Sequence, residues 1–110
     1  MKVNSEHIEQ VTFINWFRAT YPTVLIFAIP NGEYRAITTA MRLKAEGVTK
    51  GIPDIFIPEW KVWIEMKKEK GGTISKEQKE MKIYLESVGY TVFIAKGYKK
   101  AIDFIKTIDN

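Results

Sequence analysis

The sequence predicts an α/β fold, a mixed β-sheet flanked by helices on both faces, in the order αβαββαβα. Three observations predict it. Apolar residues recur at helical spacing in four segments, and four short apolar runs alternate with those segments. Two of the runs are separated only by Pro58-Glu59-Trp60-Lys61, so an antiparallel hairpin sits inside an otherwise alternating chain.

The first helix is expected over residues 5–20, where Ile8, Val11, Phe13, Ile14, Trp16 and Phe17 form an apolar stripe that Tyr21-Pro22 ends. Residues 23–29 are a continuous apolar run closed by Pro30-Asn31-Gly32, the pattern of a strand buried on both faces. A second helix is expected over residues 35–46, with Ala36, Ala40 and Leu43 on one side and Gly47 as its C-terminal cap. After Gly51-Ile52-Pro53 come the hairpin strands, residues 54–57 and 62–67, and then a polar loop over 68–73. Ser75 caps a third helix running to residue 88 with Met81, Leu85 and Val88 inward. Gly89, a strand over 91–95 and a final helix through Ala101, Ile105 and Ile108 complete the chain.

A chain of 110 residues suits one domain, residues 1–110, so any chemistry shares a single core. The absence of cysteine excludes disulfides, thiolate metal sites and cysteine nucleophiles, and one histidine cannot build a histidine zinc site. Any metal must therefore be held by oxygen. No apolar run suits a signal peptide or approaches the roughly 20 residues of a membrane span, so a soluble cytoplasmic protein is expected. The net charge of +4 favours a polyanionic partner without identifying one.

The hairpin carries the chemistry. With a symmetric loop, Ile57 faces Val62, Phe56 faces Trp63, Ile55 faces Ile64, and Asp54 faces Glu65. Alternation then puts Ile55, Ile57, Val62, Ile64 and Met66 on an apolar face and Asp54, Phe56, Trp63, Glu65 and Lys67 on the other. Two opposed carboxylates about 5 Å apart at their side-chain origins repel unless a cation lies between them. Lys67 emerges about 6 to 7 Å further along the same face. Two acids and a lysine suit phosphodiester hydrolysis, which needs neutralised phosphate charge, an activated water and a stabilised leaving oxygen; oxygen-ligated Mg²⁺ or Mn²⁺ supplies all three. Lys67 would orient or deprotonate the water, or stabilise developing negative charge.

Gly51-Ile52-Pro53-Asp54 followed by Glu65-Met66-Lys67 resembles the PD-(D/E)XK nuclease signature. The wider series resembles the VRR-NUC subfamily, the virus-type replication-repair nucleases. It runs through Asn31-Gly32-Glu33, Lys44-Ala45-Glu46-Gly47-Val48, Lys50-Gly51-Ile52-Pro53-Asp54, Glu65-Met66-Lys67, Gly72, Ser75 and Gln78. The resemblance implies a restriction-endonuclease-like core and an Mg²⁺- or Mn²⁺-dependent endodeoxyribonuclease. It further implies action on branched DNA such as Holliday junctions or flaps, in repair, recombination or phage replication, from a homodimer that is phage-encoded and works in the host cytoplasm. It also implies a first-helix glutamate beside the metal. Glu9 and Glu6 both qualify, and Glu9 is preferred because it shares a helical face with Phe13 and Trp16.

Other residues have plainer readings. Ser75-x-x-Gln78 is a capping-box pattern, yet Gln78 also falls on the inward face, and the resemblance places a glutamine near the active site; function is favoured. Lys44, Lys50, Lys68, Lys70 and Arg42 are candidates for a basic rim, Lys50 foremost, with Gly51 and Ser75 beside them as substrate-side positions. Lysines 76, 79, 82 and the tract 96–100 suit exposed helical faces, and His7, Tyr34 and Arg35 receive no role. Trp60 at the hairpin tip fits a dimer contact or a cover for the core. The competing class of function is a non-catalytic nucleic-acid-binding or partner-docking module on the same fold.

Overall fold

The computed structural model describes residues 3–30 and 37–109. In order they form α1 (Glu6–Thr20), β1 (Phe27–Ala28), α2 (Ile37–Ala45), β2 (Ile55–Ile57), β3 (Val62–Lys67), α3 (Lys76–Ser87), β4 (Thr91–Lys96) and α4 (Tyr98–Ile108), with a 3-10 turn at Pro58–Trp60. The sheet runs β1-β2-β3-β4. β1 with β2 and β2 with β3 are antiparallel, whereas β3 and β4, joined through α3, are parallel. This is the mixed sheet that the sequence predicts.

The hairpin register is Ile55 to Ile64, Phe56 to Trp63 and Ile57 to Val62, as a symmetric loop requires. Lys61 closes the turn in the left-handed region, with φ 55°, and donates its N–H to the Pro58 carbonyl at 3.1 Å. Ile55, Ile57, Val62, Ile64 and Met66 are all buried. They form one core with Phe13 and Phe17 of α1 and Ala101 and Ile105 of α4. Burying such side chains contributes about 1.5 to 3 kcal/mol each. α3 lies on the opposite face, because its Gln78 reaches Glu65, which leaves β3 on the side away from Ile64 and Met66. Trp60 packs edge-on against Phe17 and Tyr21 with ring centroids 5.4 and 5.0 Å away, and so covers the core.

The structure departs from the sequence reading in places. The run 23–29 contains a two-residue edge strand, and both of its residues are exposed, not buried on two faces. β1 pairs with β2 alone, so an apolar run that reads as a central strand lies at a sheet edge, where Ile26 is its buried member. Ile8 and Val11 of the expected helical stripe are also exposed; the buried line of α1 is Glu9, Phe13 and Phe17. Val88 turns outward, as the residue that ends α3, and Ile108 at the close of α4 is exposed as well. Ser75 caps α3 as expected, and Ser5 caps α1. Asn31, Gly32, Glu33, Tyr34, Arg35 and Ala36 lie outside the described residues. Among the described residues no helix is long and apolar enough to cross a membrane.

Candidate active site

Asp54 directly precedes β2, and the register of the hairpin continues to place it across from Glu65. It is pinned from two sides. Its carbonyl accepts the Ile29 N–H at 2.7 Å, and its Oδ2 accepts the Met66 N–H at 3.0 Å, in line with the ladder of β3.

Glu65 and Lys67 leave β3 on the same face and are both buried, at 4% and 8% exposure. Buried charges demand partners. Lys67 Nζ lies 3.4 Å from Glu65 Oε2, and Gln78 Nε2 donates to that same oxygen at 2.9 Å. Among the described residues, Glu65 Oε1 is buried without a hydrogen-bond partner. Burial first, and then the Asp54 carboxylate, push the Glu65 carboxyl up to about 8, against the opposing pull of Lys67.

Gln78 both closes the capping box and reaches Glu65. Its Oε1 accepts the Ser75 N–H at 2.9 Å and Ser75 Oγ accepts the Gln78 N–H at 3.1 Å, which completes the capping box. Its Nε2 is thereby aimed at Glu65. The cap of α3 and the orientation of a site carboxylate are one device.

These residues share a cleft of about 1200 Å³. One wall is α2 with the loop after it, including Lys44, Lys50 and Gly51; the other is the start of α3, including Ser75 and Gln78. Asp54, Glu65 and Lys67 form its floor, and Glu6 reaches it from α1. Gly51 is required here: its φ is +87°, and a Cβ would run into the Glu77 carbonyl. That close approach seats the 50–53 segment against α3 and brings Lys50 to the cleft.

The structure separates the two candidate glutamates. Glu6 lines the cleft, whereas Glu9 does not; it is 1% exposed, and its Oε1 accepts the Tyr98 N–H at 2.9 Å, at the N-terminus of α4. Among the described residues, no group of three or more Asp, Glu, His or Cys side chains forms a ready cation cage. Met41, Thr49 and Glu77 also line the cleft and were not singled out in the sequence. For Glu77 the available signal was Gly51, whose freedom implies a backbone pressed against it; nothing in the sequence marks Met41 or Thr49.

No family model and no curated protein matches this sequence. Among solved structures, one described as a VRR-NUC domain protein aligns with a TM-score of 0.80 at 26% identity, over 97% of this chain and 89% of that one. The chain has a VRR-NUC-like fold. That fold aligns it with the nuclease superfamily, and the expected restriction-endonuclease-like α/β architecture agrees with the mixed sheet and its flanking helices.

Proposed function

We propose that this VRR-NUC-like protein is an Mg²⁺- or Mn²⁺-dependent endodeoxyribonuclease with Asp54, Glu65, Lys67 and Gln78 at its catalytic centre. One observation carries the reading: the cleft gathers two opposed carboxylates, a buried lysine and a glutamine, and among the described residues Glu65 Oε1 is buried without a hydrogen-bond partner. A buried oxygen without a donor calls for a ligand, and a cation is one that this donor set can accept. The donor set fits a hard divalent cation, which takes oxygen ligands and favours the ionised carboxylates that otherwise repel each other.

Asp54 and Glu65 would hold the ion, with open positions left to water and phosphate; Glu6 lines the same cleft but does not complete a three-carboxylate cage with them. When bound, the cation neutralises phosphate charge and makes its water more acidic. Gln78 fixes one oxygen of Glu65 and leaves the other for the metal. The Met66 N–H fixes Asp54. Lys67, held beside Glu65, orients the attacking water or meets the charge that develops on the phosphate. Lys44 and Lys50 on the α2 side, with Gly51 and Ser75 at the rim, take the neighbouring phosphates of the strand.

The likeness to a VRR-NUC domain protein supports a nuclease that acts on DNA; a preference for flaps or four-way junctions, and action as a homodimer in repair, recombination or phage replication, follow from the motif resemblance in the sequence. The test is a panel of labelled linear, flapped and four-way-junction DNA, with an RNA strand beside them, each in Mg²⁺ and in Mn²⁺. Cutting concentrated at branch points supports the substrate assignment. Equal cutting of linear and branched DNA removes the branch preference, and cutting of RNA alone removes DNA.

A further inference from the structure

Glu9 is a buried carboxylate that the proposed chemistry leaves without a task. It projects from α1 beneath the sheet, in line with Phe13 and Phe17, in a position where an ionisable group is rarely found without a specific partner. Its partner is the backbone of another element. Tyr98 is the first residue of α4, and its N–H donates to Glu9 Oε1. Gly97, the residue at the N-cap, has no side chain to offer, so the carboxylate reaches in from α1 and performs the cap from a distance of 89 residues along the chain. The negative charge also suits the positive end of the helix dipole.

Gly97 connects this cap to the site. Its φ of +90° breaks the strand conformation after Lys96, and its N–H donates to the Lys67 carbonyl at 3.0 Å. Lys96 is the last strand partner of Lys67, so this bond is what secures the end of β3 once the ladder stops. A Cβ at Gly97 would sit 3.5 Å from Glu9 Oε2, which shows how closely the carboxylate underlies the turn.

We infer that Glu9 is a positioning residue: by capping α4 it fixes the Gly97 turn, and through the Gly97 to Lys67 hydrogen bond it sets the backbone from which Lys67 reaches Glu65. The inference rests on the nuclease reading for its effect on turnover, but its structural half stands apart from that reading. It assigns Glu9 no contact with metal or DNA.

The experiment compares Glu9→Gln with Glu9→Ala in the full chain. Glutamine keeps an acceptor for the Tyr98 N–H and alanine does not. Amide hydrogen exchange and backbone chemical shifts, recorded by NMR without metal, should show Gly97, Tyr98 and Lys67 changed in Glu9→Ala and close to wild type in Glu9→Gln. In cleavage assays Glu9→Ala should lose roughly 10- to 100-fold in kcat, the usual scale for loss of a supporting contact, with KM for DNA and the metal midpoint unmoved. Glu9→Gln should recover most of that loss. Three results would overturn the inference: changes in Glu9→Ala that stop at Tyr98 and never reach Lys67, a Glu9→Gln protein whose metal midpoint shifts as a ligand's would, or a Glu9→Ala protein with undiminished kcat. A folded wild-type chain that cuts nothing would sink the nuclease reading alone, and the NMR comparison would still decide the coupling.

Discussion

Glu65 joins the structural and the chemical demands on this fold. Its Oε2 has two donors, Gln78 and Lys67, its Oε1 has none among the described residues, and burial and Asp54 push its carboxyl up to about 8. The folded protein therefore holds a proton on Glu65 that the unfolded chain releases nearer 4.5. A raised carboxyl contributes stability that is fully present below about 4.5 and is lost as the pH climbs through about 8. In EDTA, the wild-type melting temperature should fall between pH 5 and pH 9 relative to Glu65→Gln, which removes the titration but keeps the size of the side chain. Thermal melts across that range read the difference directly, and parallel curves would contradict the assignment. Residue by residue, the sequence placed Asp54, Glu65 and Lys67 on one face of the hairpin, where the structure has them, because hairpin register and alternation are local rules. It could not foresee where the two glutamates of α1 would go: Glu6 lines the cleft, and Glu9 accepts from the start of α4. Both share faces with Phe13, and what separates them is the N-terminus of α4, almost ninety positions away in sequence.

At the scale of elements, the cleft depends on how the 50–53 segment meets α3. Gly51 adopts a positive φ with its Cα against the Glu77 carbonyl, so both conformation and space exclude a side chain. Gly51→Ala should cost more than about 1 kcal/mol in a denaturant titration, the lower bound for strain of this kind, and should weaken DNA retention because Lys50 moves with the loop. A variant with unchanged stability and binding would show that the segment does not organise the cleft. The helices and the hairpin were legible in the sequence because Tyr21-Pro22, Ser75 and the turn at Pro58 to Lys61 mark their ends. β1 was not. Its run of apolar residues looks like a central strand, and only the sheet order reveals that it pairs on one side and leaves Leu25 and Phe27 exposed. Edge or centre is a property of the assembled sheet, not of the strand.

For the whole molecule, the apolar and ionised halves are divided by the sheet itself. Ile55, Ile57, Val62, Ile64 and Met66 face α1 and α4, and the intervening residues of the same strands present Asp54, Glu65 and Lys67 to the cleft against α2 and α3. Burial of one face thus fixes the strands that hold the other, and Asp54 and Glu65 stay opposed, with Glu65 keeping its proton, because the core beneath them is secure. The most direct test of the account is cleavage of four-way-junction DNA by the wild type, Asp54→Asn, Glu65→Gln and Lys67→Ala in Mn²⁺ and in EDTA, with thermal melts of each protein in the same buffers. The account predicts wild-type cutting that EDTA abolishes, loss of at least about 100-fold in each variant at retained fold, and Mn²⁺ stabilisation of the wild type that Asp54→Asn and Glu65→Gln do not share. DNA bound but never cut, with melting temperatures indifferent to Mn²⁺ in every variant, would contradict it and leave a binding module built on a nuclease-like fold.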